Sequence, residues 1–286
     1  MGYYQKLDWE VVDYDEYCLR GMSMSLRGPE AKHLRKGEYI VCIGASQTFG
    51  RFCKRPYSLL LKERLKVEVL NLAKGAADAV FFQHEKLLEY INNSKLAIIQ
   101  VMSGRSADNS LFRTSDLSVE VTMVSDGSKL HVDTAYKELL EKDIDLCKKI
   151  VAETRRNWVD DYKNLLEKIK VPTILLWFSK REPDYKEKYT DLRSLYGAFP
   201  QLVNARMINQ IKKYSDEYVE CVSRKGLPQP FISRFTGKPA VVGGKTENRY
   251  YPSQEMHMEA ANLLEPICRK YLNENFEKAL EVSESF

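Results

Sequence analysis

Five apolar runs mark the chain at residues 39–43, 68–72, 96–102, 172–178 and 218–222. Runs of that length ending at Gly, Ser or a cation read as strands. The third and fourth, Leu-Ala-Ile-Ile-Gln-Val-Met and Pro-Thr-Ile-Leu-Leu-Trp-Phe, are apolar on both faces and predict central strands. Between the runs the apolar period lengthens to that of a helix. Helices are expected over 57–66, 81–92, 134–170 with at most one break, 202–214 and 254–271. Strand alternating with helix predicts an α/β protein with a parallel sheet. Right-handed crossovers then give a three-layer α/β/α sandwich, five strands in the order 2-1-3-4-5.

No repeat, low-complexity tract or linker interrupts this pattern, so residues 1–286 read as one domain. Two pieces are additions: an N-terminal extension, 1–37, and an insertion, 108–133. The insertion is long for a loop between strand and helix. Its Val-Glu-Val-Thr-Met-Val at 119–124 and Leu-His-Val at 130–132 predict a small hairpin.

Composition narrows the function classes. Lys and Arg total 44 and Asp and Glu 40, a net charge of +4, which is too mild for a nucleic-acid binder. The Cys at 18, 42, 53, 147, 221 and 268 form no Cys-x-x-Cys pair and no zinc-ligand spacing, so no metal is expected. Scattered Cys, no leader-like N-terminus and no bilayer-length apolar run predict a cytoplasmic protein without a membrane span. No Walker loop, Gly-x-Gly-x-x-Gly or His-Glu-x-x-His is present, so no cofactor is expected.

Candidate chemistry gathers after the strands, because a parallel sheet puts all its C-terminal ends on one edge, where open α/β sheets bind ligands. The first strand delivers Gly44-Ala45-Ser46, the second leads to Gly75, and the third to Ser103-Gly104-Arg105-Ser106 with Asn109 beyond. The fourth delivers Lys180 and Arg181. Ser46 reads either as a nucleophile or as a helix N-cap. His257, near the other end of the chain, is the candidate base. Arg105 reads as an anion-binding cation or as one partner of a salt bridge, and Lys180 and Arg181 as further cations or as a solvated loop.

These blocks resemble the SGNH (GDSL-type) hydrolases. Gly44-Ala45-Ser46 is similar to their Gly-Asp-Ser block, Gly75 to their second-block Gly, and 104–109 to their Gly-x-Asn-Asp block. The stretch 251–257 precedes a C-terminal helix, where the family carries Asp-x-x-His. The whole chain also resembles a bacterial domain-of-unknown-function family, the DUF6473 type, in phrases such as Gly-Ala-Ser-Gln-Thr-Phe-Gly-Arg-Phe and Ser-Gly-Arg-Ser. The resemblance implies a flavodoxin/SGNH-like fold. It also implies a serine-dependent esterase or acyltransferase acting on a small O-acyl ester, with a carbohydrate ester as one candidate. Ser46 would be the nucleophile, His257 the base and Glu255 the third member. Gly75 with Ser106 or Asn109 would form the oxyanion hole, and Ser103, Gly104, Arg105, Lys180 and Arg181 would bind an anionic substrate.

The departures keep alternatives open. Ala45 stands where the family has Asp, and Gln254 stands three before His257. One rival is a transferase with an anionic donor, sulfotransferase-like or dependent on coenzyme A or a nucleotide. The other is a binding protein on a degenerate hydrolase frame. The oligomeric state is not legible.

Overall fold

The computed structural model describes residues 2–19 and 21–283. Its strands are β1 Tyr39–Ile43, β2 Glu68–Asn71, β3 Leu96–Gln100, β4 Phe112–Thr114, β5 Glu120–Met123, β6 Lys129–His131, β7 Thr173–Ser179, β8 Glu217–Val222, β9 Gln229–Pro230 and β10 Glu247–Asn248. Its α-helices are α1 Tyr3–Asp8, α2 Ser46–Phe49, α3 Tyr57–Leu65, α4 Glu85–Asn92, α5 Val132–Lys142, α6 Ile144–Lys168, α7 Leu192–Tyr196, α8 Ala205–Ile211 and α9 Gln254–Ser283.

Every neighbouring pair in the main sheet is parallel, in the order β2-β1-β3-β7-β8, which is the expected 2-1-3-4-5. The two faces follow the period-2 alternation of the strands. Tyr39, Val41, Ile43, Ala97, Ile99, Leu175 and Trp177 pack against α6, supplying Trp158, Val159, Tyr162 and Leu165, and against α8. Ile40, Cys42, Ile98, Leu176 and Phe178 pack against α3 and α9, whose Met256, Ala260, Ala261 and Leu264 are fully buried. The three-layer α/β/α sandwich is therefore built as its apolar pattern dictates. No described helix is long and apolar enough to cross a membrane.

Two local expectations need correction, and a third is met. The insertion is a three-stranded antiparallel sheet, β4-β5-β6, not a hairpin. The added strand holds because Phe112 is buried with Val121, Val132 and Tyr136. The helical stretch after it has its one allowed break at Asp143, which leaves helical geometry (φ −157°, ψ 97°) and caps Leu146 N–H with its carboxylate. The stretch near 202–214 keeps only α8 as α-helix, followed by a 3-10 turn.

The extension is ordered around the main sheet's C-terminal edge. Arg27, 3% exposed, donates to the carbonyls of Cys53 and Lys54 and lies 4.6 Å over the Tyr14 ring. Those contacts fix the loop between α2 and α3. Through α1 and Tyr14 the extension also reaches the turn that carries Ser46.

Candidate active site

The turn from β1 into α2 is held from the centre of the sheet. Gln100, the last residue of β3, turns its buried Oε1 toward that turn and accepts from Ala45 N–H (3.1 Å), Thr48 N–H (3.2 Å) and Thr48 Oγ1 (2.7 Å). Asn71, at the end of β2, donates to the Thr48 carbonyl at 3.0 Å. Gly50 closes α2 at φ 79°, a left-handed conformation that glycine adopts without strain. Two strands thus fix the position of one serine.

Ser46 is not a helix cap. It is the first helical residue, Ala45 holds the cap position, and no side chain caps the helix. Its Oγ instead lies 2.6 Å from the Tyr4 hydroxyl of α1. As the first residue of α2, Ser46 has no intrahelical acceptor for its N–H. Ser46 is 7% exposed and lines a cleft of about 1080 Å³. Gly75, Ser103, Arg105 and Ser106 line the same cleft, as do Tyr4 and Tyr251.

His257 lies elsewhere. It is fully buried in the first turn of α9, its ring stacked on Tyr57 (5.9 Å, 28°) and edge-on to Phe178 at 5.1 Å. Tyr57 N–H donates to Nδ1 at 3.1 Å. A backbone N–H only donates, so in the neutral ring the proton sits on Nε2. Nε2 is buried and has no hydrogen-bond partner. Burial, and then the Arg27 charge, push the imidazole down to about 3, so it is neutral at ordinary pH. The expected Ser46–His257 contact is absent. The reason is helical periodicity: His257 precedes Ala260 and Ala261 by one turn and shares their buried face.

Several other expectations are corrected in the same way. Glu255 is exposed and lies against Gly226, and it makes no bond to His257, whose Nδ1 is taken. Asn109 is buried and braces the start of β4: it donates to Thr154 Oγ1 and accepts from Leu111 and Phe112 N–H. Gly104 donates to the Gln201 carbonyl and packs on Val203 and Trp158, away from the cleft lining. Arg181 donates to the Ala198, Pro200 and Val203 carbonyls between Trp177 and Tyr185, and burial pushes it down to about 10. Lys180 Nζ donates to the Arg249 carbonyl at 2.7 Å, and burial lowers it, helped by Arg224 and Arg193. Arg105 does line the cleft, but its Nη1 is paired with Asp133 Oδ1 at 2.6 Å.

Sequence reasoning missed the contacts that surround Ser46. Arg51 lies 4.3 Å over the Tyr4 ring and 5.0 Å over that of Tyr251, and donates to the Tyr251 hydroxyl at 3.0 Å. Its Nε and Nη2 fork onto both oxygens of Asp8 at 2.8 and 3.0 Å. Asn248 holds the Tyr251 turn, accepting from Tyr250 and Tyr251 N–H and donating to the Tyr251 carbonyl. Asn248 and Tyr251 are three residues apart just before α9.

Among the described residues no group of acidic, His and Cys side chains is arranged to hold a metal ion. The family model described as "Domain of unknown function (DUF6473)" matches residues 1–116 and 135–272, breaking across most of the three-stranded insertion. No curated protein matches the chain. Among solved structures, the lipase Lip_vut3 from a goat rumen metagenome is 14% identical, covering 79% of this chain and 98% of its own, at a TM-score of 0.44. Phospholipase A1 from Streptomyces albidoflavus NA297 is 9% identical, with coverages of 82% and 99% and a TM-score of 0.46. A family two carbohydrate esterase from Clostridium thermocellum is 12% identical, with coverages of 87% and 68% and a TM-score of 0.41.

Proposed function

The chain belongs to the DUF6473 family, whose description assigns no activity, and from the cleft alone we propose that it is a serine-dependent esterase or acyltransferase. The substrate is a small O-acyl ester, with carbohydrate esters one class that fits. Ser46 Oγ attacks the acyl carbonyl, and the N–H groups of Ser46 and Gly75 receive the developing oxyanion. Water or a second hydroxyl then takes the acyl group. One observation carries this reading. Ser46 Oγ makes no capping bond and is instead held at 2.6 Å by a phenol inside a substrate-sized cleft.

A fluorophosphonate tests it, since such reagents trap an activated serine. The expected result is one label per chain, mapped to Ser46 and lost in Ser46→Ala. No label on the folded wild-type protein rejects the proposal.

The second reading is a binding protein on the same frame. It is favoured by the absence of an imidazole hydrogen-bonded to Ser46. It predicts that small esters bind the cleft without turnover. The transferase with an anionic donor, coenzyme A or nucleotide, has less support. Arg105 is neutralised by Asp133, and Arg181 and Lys180 are engaged with backbone carbonyls.

A further inference from the structure

We infer that the three-stranded insertion is the specificity wall of the cleft, and that its Leu117 and Val119 meet the alcohol half of the ester, which is large, uncharged and apolar on that side. This rests on the reading of Ser46 as a nucleophile that takes a small acyl group.

The cleft is far larger than a small acyl group needs. Pockets of about 300–1,000 Å³ enclose ligands of drug size, and this one measures about 1080 Å³. The space beside the serine is tight. The Tyr4 hydroxyl lies 2.6 Å from Ser46 Oγ and over Gly75, where a Cβ would stand 2.5 Å from the phenol oxygen. Ser46 itself is only 7% exposed. Most of the volume therefore lies away from Ser46, and with a small acyl group only the alcohol half can fill it.

Four residues of the insertion line that volume: Leu117, Val119, His131 and Asp133. All four fall between 116 and 135, the stretch that the family model leaves unmatched, whereas Ser46, Gly75 and Arg105 lie in matched stretches. The edge that carries the serine thus belongs to the family pattern, and this wall does not. Phe112, Val121, Val132 and Tyr136 give the insertion a core of its own. Val132 N–H donates to the Val119 carbonyl at 2.9 Å and fixes Val119 beside β6. An exposed side chain such as Val119 can therefore change without disturbing the main sheet.

Two observations give the chemistry of the occupant. Val119 is 38% exposed and Leu117 is half-buried. Apolar side chains held open on a cleft wall gain from being covered by an apolar face. Arg105, which ties the sheet edge to the insertion, pairs with Asp133 at 2.6 Å. An anionic group at that point would meet a carboxylate as well as the guanidinium, and the like charge penalises it. An uncharged alcohol meets no such penalty.

The test uses three acetates: nitrophenyl acetate, which is small; resorufin acetate, which is large and uncharged; and acetoxypyrene trisulfonate, which is large and anionic. Each kcat/KM is divided by that ester's rate with hydroxide, which removes the difference between leaving groups. Wild type should favour resorufin acetate over the trisulfonate at least about tenfold. Val119→Trp narrows the wall and Val119→Asp makes it polar. Each should lower the ratio of resorufin acetate to nitrophenyl acetate at least about fivefold. Fluorophosphonate labelling of Ser46 in the same variants shows that they are folded, and the wild-type comparison needs no variant. An unchanged ratio in both variants overturns the wall. So does a loss confined to nitrophenyl esters of longer acyl chains, which would place the acyl half there. A wild type that favours the trisulfonate overturns the uncharged alcohol. Each of these results leaves Ser46 as the nucleophile. Wild type that neither turns over an acetate nor takes the label removes the serine reading, and the wall's role with it.

Discussion

Tyr57 N–H donates to His257 Nδ1 across 3.1 Å, in a fully buried environment. That bond sets the tautomer of a ring that no ionised group hydrogen-bonds. The folded state therefore holds His257 neutral, with its pKa down at about 3. An unfolded His titrates near ~6.5. Between those values the unfolded chain binds the extra proton, so stability rises with pH. The contribution is full above about pH 6.5 and is lost as pH falls toward about 3. His257→Gln should remove up to about 1.4 kcal/mol per pH unit of that slope. Urea unfolding at neutral and mildly acidic pH measures it. Identical slopes in the two proteins would show that the ring charges without cost.

Ser46→Ala should abolish turnover and barely move the melting temperature. Ser46 caps nothing, and its lost partner is a single hydroxyl bond, a net contribution of about 1 kcal/mol. Removing a nucleophile costs roughly 10³-fold or more in rate. A variant that melts many degrees lower would point to a structural role for the hydroxyl.

Gln100→Leu should be the costly change nearby. It removes the acceptor of three donors in the β1–α2 turn, of which at least the buried backbone N–H groups would be orphaned. Each such group costs about 1–3 kcal/mol. We expect a loss of several kcal/mol in chemical denaturation and slower labelling of Ser46. A loss under about 1 kcal/mol would mean that water enters and replaces the amide.

Asp133→Asn should raise preference for anionic esters. Arg105 is 17% exposed and now spends its charge on Asp133. Freeing it should improve an anionic substrate over a neutral one by roughly 1 kcal/mol, about fivefold in kcat/KM. Arg105→Lys in the intact pair should affect both substrates alike. Equal kcat/KM ratios in wild type and Asp133→Asn would exclude Arg105 from substrate recognition.

The frame was legible because strand burial follows residue pattern directly. Tyr39–Ile43 and Thr173–Ser179 are buried at every position, as runs apolar on both faces must be. The site was harder to read. His257 was singled out by residue type, while its 3.6-residue spacing to Ala260 and Ala261 already marked it as core. Lys180 and Arg181 stand after a strand, but carbonyls, not ligands, engage them. Arg51 and Asp8 were invisible because nothing local marks them, and the placing of Tyr4 and Tyr251 beside Ser46 was not legible either. Their contacts are made only when distant segments dock.

That distance has a consequence for how the protein comes into being. Arg51 joins Asp8, 43 positions before it, to Tyr251, 200 positions after it. A ribosome therefore delivers the serine turn long before the segment that completes its surroundings. Until the last strand and its following loop have emerged and docked, a growing chain would hold an inert hydroxyl. With Ser46 as the nucleophile proposed above, recovery of labelling during refolding should lag behind recovery of the sheet.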